Sequence, residues 1–131
     1  MMGYDVKNNY HNTSEKVLTL ATAPMMKEKW RTKVDGFPPG TPVIAEGRVF
    51  VQATGGTFAI SLANGKVLWS RSDLAGTSSI AYSDGVIYVH TGPADLYRVN
   101  PVDGKTLWGP VRTFATKDCD GESSPIVANG M

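Results

Sequence analysis

Three carboxylates stand at alternate positions in Asp118-Cys119-Asp120-Gly121-Glu122. Oxygen donors so spaced could ligate a hard cation such as calcium, although such an ion takes about six to eight oxygens and these side chains supply only part of that shell. A solvated acidic turn is the other reading. Cys119 has neither a base nor a helix start beside it to lower its pKa, so it reads as an inert thiol, and as the single cysteine it excludes an intrachain disulfide. His11 and His90 are isolated in the sequence, and His90 continues a strand beyond Val89. No Cys-x-x-Cys-His haem attachment and no nucleophile with an activating partner are present. No residue is therefore assigned to catalysis or to cofactor binding.

The elements that must position these residues are set by a repeat. Asn64-Gly65-Lys66-Val67-Leu68-Trp69 returns as Asp103-Gly104-Lys105-Thr106-Leu107-Trp108, and Trp30 falls on the same 39-residue period (69 − 30 = 108 − 69). Periods of about 40 residues with several short strands in each are the mark of propeller blades. Each copy reads as four strands joined by turns. In the first, Thr41–Ala45 turns at Glu46-Gly47 into Arg48–Gln52, then at Thr54-Gly55-Gly56 into Phe58–Leu62, then at Asn64-Gly65 into Lys66–Trp69. The second copy follows the same plan from Ser78 through Trp108, and its offset is 38 at Gly85 but 39 at the tryptophan, so one residue is inserted in its middle loop. Ser124-Pro125-Ile126-Val127-Ala128-Asn129-Gly130 parallels Thr41–Gly47 and reads as the start of a third copy.

Residues 1–26 read as an N-terminal extended arm, within which Ser14–Pro24 fits either a short strand or one helical turn. Asn12-Thr13-Ser14 reads as a chance match to a glycosylation acceptor. Alternation over 27–34 predicts an exposed, blade-closing strand. Blades are expected over 41–70 and 78–109, with the start of a further one over 123–131. The expected fold class is all-β, a partial β-propeller of about two and a half four-stranded antiparallel blades. Open blade faces and strand edges in such an array invite association. Lysine plus arginine total 13 against 12 acidic residues, so no strong field points to nucleic acid. No run approaches the ~20 apolar residues of a membrane span, and Met1–Asp5 lacks the basic start and apolar stretch of a signal peptide.

The pattern Pro-x-x-x-x-Gly-x-Val-x-Val, followed by a polar turn and Gly-Lys-x-Leu-Trp, resembles the repeat of the pyrroloquinoline quinone (PQQ) dehydrogenase-like β-propellers over residues 27–131. That resemblance implies a docking motif in which the tryptophan packs between adjacent blades over the glycine turn. Gly65 with Trp69 and Gly104 with Trp108 fit it, whereas Trp30 has Met26 where its glycine should stand. The motif's alanine is kept as Ala59 and replaced by Arg98. The opening Gly3–Asn12 is similar to the start of the dehydrogenase branch, nearest to the alcohol and polyvinyl alcohol dehydrogenases.

The resemblance implies a fragment of a quinoprotein that oxidises an alcohol, hydride passing from the alcohol carbon to PQQ, with calcium bridging protein and quinone. Asp118, Asp120 and Glu122 are the candidate metal ligands. The vicinal cysteine pair of many such enzymes is absent. The alternative within the same resemblance is a non-catalytic protein-binding scaffold of the BamB outer-membrane assembly type. Partners would be further blades of the same propeller and, for an enzyme, a small alcohol or a polymer. Either branch implies a periplasmic or secreted location. Any chemistry would sit on the loops Arg71–Thr77 and Gly109–Ser123, at the funnel.

Overall fold

Glu46-Gly47 and Asp84-Gly85 both take positive φ, at 49° and 71° and at 49° and 75°. This is the backbone of a two-residue hairpin turn whose twist matches that of its strands. A computed structural model, describing residues 14–38, 40–92, 94–113 and 124–127, shows what these turns join. The first links β1 (Val43–Ala45) to β2 (Arg48–Ala53), which continues into β3 (Gly56–Ser61) and β4 (Val67–Arg71). The second links β5 (Ala81–Ser83) to β6 (Val86–His90), followed by β7 (Asp95–Val99) and β8 (Thr106–Arg112). Each set forms one four-stranded antiparallel sheet in sequence order. The all-β expectation holds, with two successive blades. The inserted residue of the second copy falls in the β6–β7 connection, which runs from 91 to 94 where the first copy needs only Thr54-Gly55.

Alternation along the strands divides the apolar residues between two cores. Phe50 and Ala59 of the first sheet meet Ile87, Val89 and Val99 of the second in an inter-sheet core, with Leu74 and Ile80 from the connection. Val49, Val51, Phe58 and Ile60 point the other way and are covered by Trp30 and Val34. The first sheet is thus buried on both faces, and the outer strand β8 of the second is exposed along its whole length.

Two expected strands are not formed among the described residues. Residues 27–34 join no ladder, although Trp30, Thr32 and Val34 are half-buried between exposed neighbours. They lie on the face of the first sheet, where side chains find a surface but the backbone meets no strand edge to pair with. Ser124–Val127, the described part of the third copy, is likewise not in a ladder. It borders a groove of about 420 Å³ together with Pro42, Ile44, Ile80 and Tyr82. A repeated hydrogen bond aligns the three copies there: the Thr41 N–H donates to Ser79 Oγ at 2.8 Å, and the Ser79 N–H donates to Ser124 Oγ at 3.0 Å. The segment Ser14–Pro24, which fitted either a strand or a helical turn, forms no strand and runs into a 3-10 turn, Ala23–Met25.

Candidate functional site

The contacts between successive units are built from three positions that recur with the repeat. The Trp30 indole N–H donates to the Leu62 carbonyl at 3.0 Å, and the Trp69 indole N–H donates to the Pro101 carbonyl at 3.0 Å. Under each of these two indoles lies the glycine of the last turn of the sheet that follows it. A Cβ on Gly65 would stand 2.8 Å from the Trp30 ring, and one on Gly104 would stand 2.8 Å from the Trp69 ring. Both glycines have φ above +70°, so the turn and the close approach each require the residue. Two positions after each tryptophan, a side chain reaches the same turn: Thr32 Oγ1 donates to the Gly65 carbonyl at 2.5 Å, and Arg71 Nη1 to the Gly104 carbonyl at 2.6 Å.

These two indoles therefore lie over the glycine of the next copy's last turn, the β3–β4 turn for Trp30 and the β7–β8 turn for Trp69. Trp30 stands over Gly65, so Met26 in its own stretch is no obstacle. Trp69 also meets Phe50 with ring centroids 6.1 Å apart. Trp108 is 46% exposed. Thr32 and Arg71 were not singled out by the sequence reading, although both sit on the 39-residue period, and Pro110 follows at the third place with no side-chain donor.

Arg71 is fixed by a two-pronged pair with Asp73, Nε to Oδ1 at 2.7 Å and Nη2 to Oδ2 at 2.6 Å. These hydrogen bonds hold the Asp73 carboxyl below its ordinary pKa and raise that of Arg71. The loop expected at the funnel, Arg71–Thr77, contains this pair and a 3-10 turn, Ser72–Leu74, whose Leu74 is fully buried. The Leu74 carbonyl accepts from Thr57 Oγ1 at 2.7 Å and from Gln52 Nε2 at 3.3 Å. Gln52 Nε2 also donates to the His90 carbonyl at 2.8 Å, tying the two sheets together. His90, buried at the end of its strand, has Nε2 2.9 Å from Thr113 Oγ1. Gln52 and His90 occupy the same place in successive copies, 38 residues apart; that equivalence was the available signal for this buried polar group. Near the β1–β2 turn, the Tyr82 hydroxyl donates to Glu46 Oε1 at 2.7 Å, which raises the Tyr82 pKa.

The candidate metal ligands Asp118, Asp120 and Glu122, together with Cys119 and His11, lie outside the described residues. Among the described residues no three His, Cys, Asp or Glu side chains come together in a way that could hold a metal ion. Asp73, Asp95 and Asp103 are each paired with a neighbouring cation. The described residues therefore bring together no ligand set for calcium, and no chemical step is derived through calcium or a quinone. No helix among them is long and apolar enough to cross a membrane, which says nothing of β-barrels.

A search of curated proteins returns no match. Among solved structures the chain is similar to BamB from Moraxella catarrhalis, with TM-score 0.56, 15% identity and coverage of 61% of this chain and 26% of that one. It is similar to the quinohemoprotein alcohol dehydrogenase ADHIIG from Pseudomonas putida HK5, with TM-score 0.65, 20% identity and coverage of 75% of this chain and 17% of that one. It also resembles the computationally designed Ika4 protein, with TM-score 0.54, 11% identity and coverage of 63% and 53%. These likenesses establish the fold as a partial β-propeller. The family described as outer membrane protein assembly factor BamB matches residues 5–130, and with its repeats and two successive blades the chain belongs to that family of PQQ-like propeller-repeat proteins.

Proposed function

We propose that this chain supplies blades of a PQQ-like propeller that acts as a protein-binding scaffold in outer-membrane assembly, in the periplasm. The observation that carries the reading is the family match over residues 5–130. On this reading the tryptophan–glycine contacts are docking joints between blades, since a large aromatic covers ~200 Å² and its N–H finds an acceptor. The partners are further blades on one side and a client protein on the exposed loops.

A second reading, alcohol oxidation with PQQ and calcium, is favoured by the acidic stretch Asp118, Asp120 and Glu122 in the second funnel loop. One experiment separates the two. The full-length product is incubated with PQQ, calcium, a panel of alcohols and a redox dye. The scaffold reading expects no quinone-dependent reduction, and loss of the gene product should leave the outer membrane permeable to bulky antibiotics. Dye reduction that disappears in an Asp120→Ala/Glu122→Ala variant would overturn it in favour of the dehydrogenase.

A further inference from the structure

The last turns of the two sheets carry the same backbone with two different side chains. Asn64-Gly65 and Asp103-Gly104 stand at equivalent places on the 39-residue period. In the first, Asn64 Oδ1 accepts from the Lys66 N–H at 3.0 Å, and the Gly65 N–H donates to the Ser61 carbonyl at 2.9 Å. In the second, Asp103 Oδ1 accepts from the Lys105 N–H at 3.1 Å, and the Gly104 N–H donates to the Asn100 carbonyl at 2.9 Å. An asparagine before a glycine is open to attack by the main chain on its own side chain, because glycine has no Cβ to hinder its nitrogen. Asn64 is exposed, whereas Gly65 is buried beneath the Trp30 ring.

We propose that Asn64 is a site of spontaneous deamidation and that the contact of Trp30 with the Gly65 turn sets its rate. With the contact closed, the Gly65 N–H is held by Ser61, its carbonyl by Thr32 Oγ1, and the ring lies on the glycine itself. The reaction therefore runs from the population in which the contact is open. There hydroxide removes the Gly65 amide proton, the nitrogen bonds to Asn64 Cγ, and the Cγ–Nδ2 bond breaks, ammonia leaving with a proton returned from water. One water molecule then opens the cyclic imide. Opening at Cγ yields aspartate, and opening at the main-chain carbonyl yields isoaspartate; one water is taken up for each ammonia released. The two products differ in what they do to the contact. Aspartate fits, since Asp103 already makes the same turn beneath Trp69, with Lys105 Nζ 3.2 Å from its carboxylate. Isoaspartate routes the main chain through Cγ and so adds one atom ahead of the Gly65 nitrogen. That displaces the glycine from beneath a ring which an added Cβ would already approach to 2.8 Å.

Peptide mapping of the purified chain, incubated under mildly alkaline conditions with and without denaturing urea, tests this. Mapping is needed because Asn129-Gly130 is a second such pair. Loss of Asn64 is expected to be at least about tenfold slower in the folded chain than in urea. Trp30→Ala should bring the rate without urea close to that in urea. Thr32→Val keeps the ring, removes one hydrogen bond to the turn, and should raise the folded-state rate about threefold. Trp108→Ala, in the other sheet, should leave it unchanged. Asn64→Asp should keep the parent's Trp30 indole N–H resonance, and the isoaspartate fraction should shift it. Equal rates for the parent with and without urea overturn the proposal. So does a parent-like rate in either Trp30→Ala or Thr32→Val, an equal acceleration by Trp108→Ala, or an isoaspartate form whose Trp30 resonance matches the parent's.

Discussion

The Trp30–Gly65 and Trp69–Gly104 contacts share one geometry and differ in chemistry. In both, an indole lies on a left-handed glycine and its N–H reaches a carbonyl at 3.0 Å. The second hydrogen bond to the turn comes from a neutral hydroxyl, Thr32, in one, and from a guanidinium held by Asp73 in the other. The shape of the contact is therefore the invariant, because ring and glycine must fit together whatever else is nearby. The additional donor is free to change, since a carbonyl accepts from a hydroxyl or a cation alike. The sheets differ in the same spirit: the first is covered on both faces, and the second turns Trp108 and Arg98 to an open one.

The largest expected effect comes from breaking the shape. Gly104→Ala puts a Cβ 2.8 Å from the Trp69 ring at φ +72°, and backbone strain with overpacking should cost roughly 2–4 kcal/mol in urea unfolding. Gly47→Ala is the control, since it has nearly the same φ, +71°, and nothing within 4 Å of the added Cβ. Its cost should be about 1–2 kcal/mol, the strain alone. Equal losses for the two would mean that the ring contact contributes nothing.

Removing the rings sharpens the contrast between covered and open faces. Trp69→Ala deletes a half-buried ring that packs against the inter-sheet core, together with its bond to Pro101, and should cost about 3 kcal/mol. Trp108, 46% exposed, should cost about 1 kcal/mol or less when changed to alanine. Matching losses would contradict the difference in burial on which the comparison rests.

Much of this architecture was legible in the chain. Dipeptides such as Glu46-Gly47 and Asp84-Gly85 mark hairpins because few residues tolerate φ > 0 in succession, and the strands between them follow. The glycine under each tryptophan was less legible: the motif reads Gly65 and Trp69 as one unit, yet stacking of sheets brings Trp69 over Gly104 instead. Alternation over 27–34 was read as a strand, but alternation reports a buried face and not a hydrogen-bonded edge. Gln52 and Thr57 were harder to read as a clasp: the match of Gln52 to His90 marks a recurring polar place, but a polar residue in a strand looks solvent-facing until its carbonyl partners, those of Leu74 and His90, are placed by the connection and the next sheet. Of the candidate site, the acidic residues 118, 120 and 122 fall outside the described residues, so the structure adds nothing to that reading.

The smallest effect separates the two contacts by their chemistry. Asp73 has its carboxyl pKa lowered chiefly by the hydrogen bonds from Arg71, which outweigh the opposing effect of burial. A folded-state pKa below the unfolded one means that the stabilisation is present above the unfolded value, near 4, and is lost as pH falls through the folded value. The Asp73 side chain is 62% exposed, so solvent screening limits the pair to a few tenths of a kcal/mol. Bulk melting will register this only as a slightly flatter acid limb for Asp73→Asn. The local signal should be clearer: acidification should shift the Trp69 indole N–H resonance, because Arg71 bridges Asp73 to the Gly104 turn beneath that ring. Trp30, whose contact relies on the hydroxyl of Thr32, should not move over the same range, and Asp73→Asn should abolish the shift at Trp69. If both indoles titrate together, or if the Trp69 shift survives in Asp73→Asn, the acid sensitivity does not belong to the Arg71–Asp73 pair.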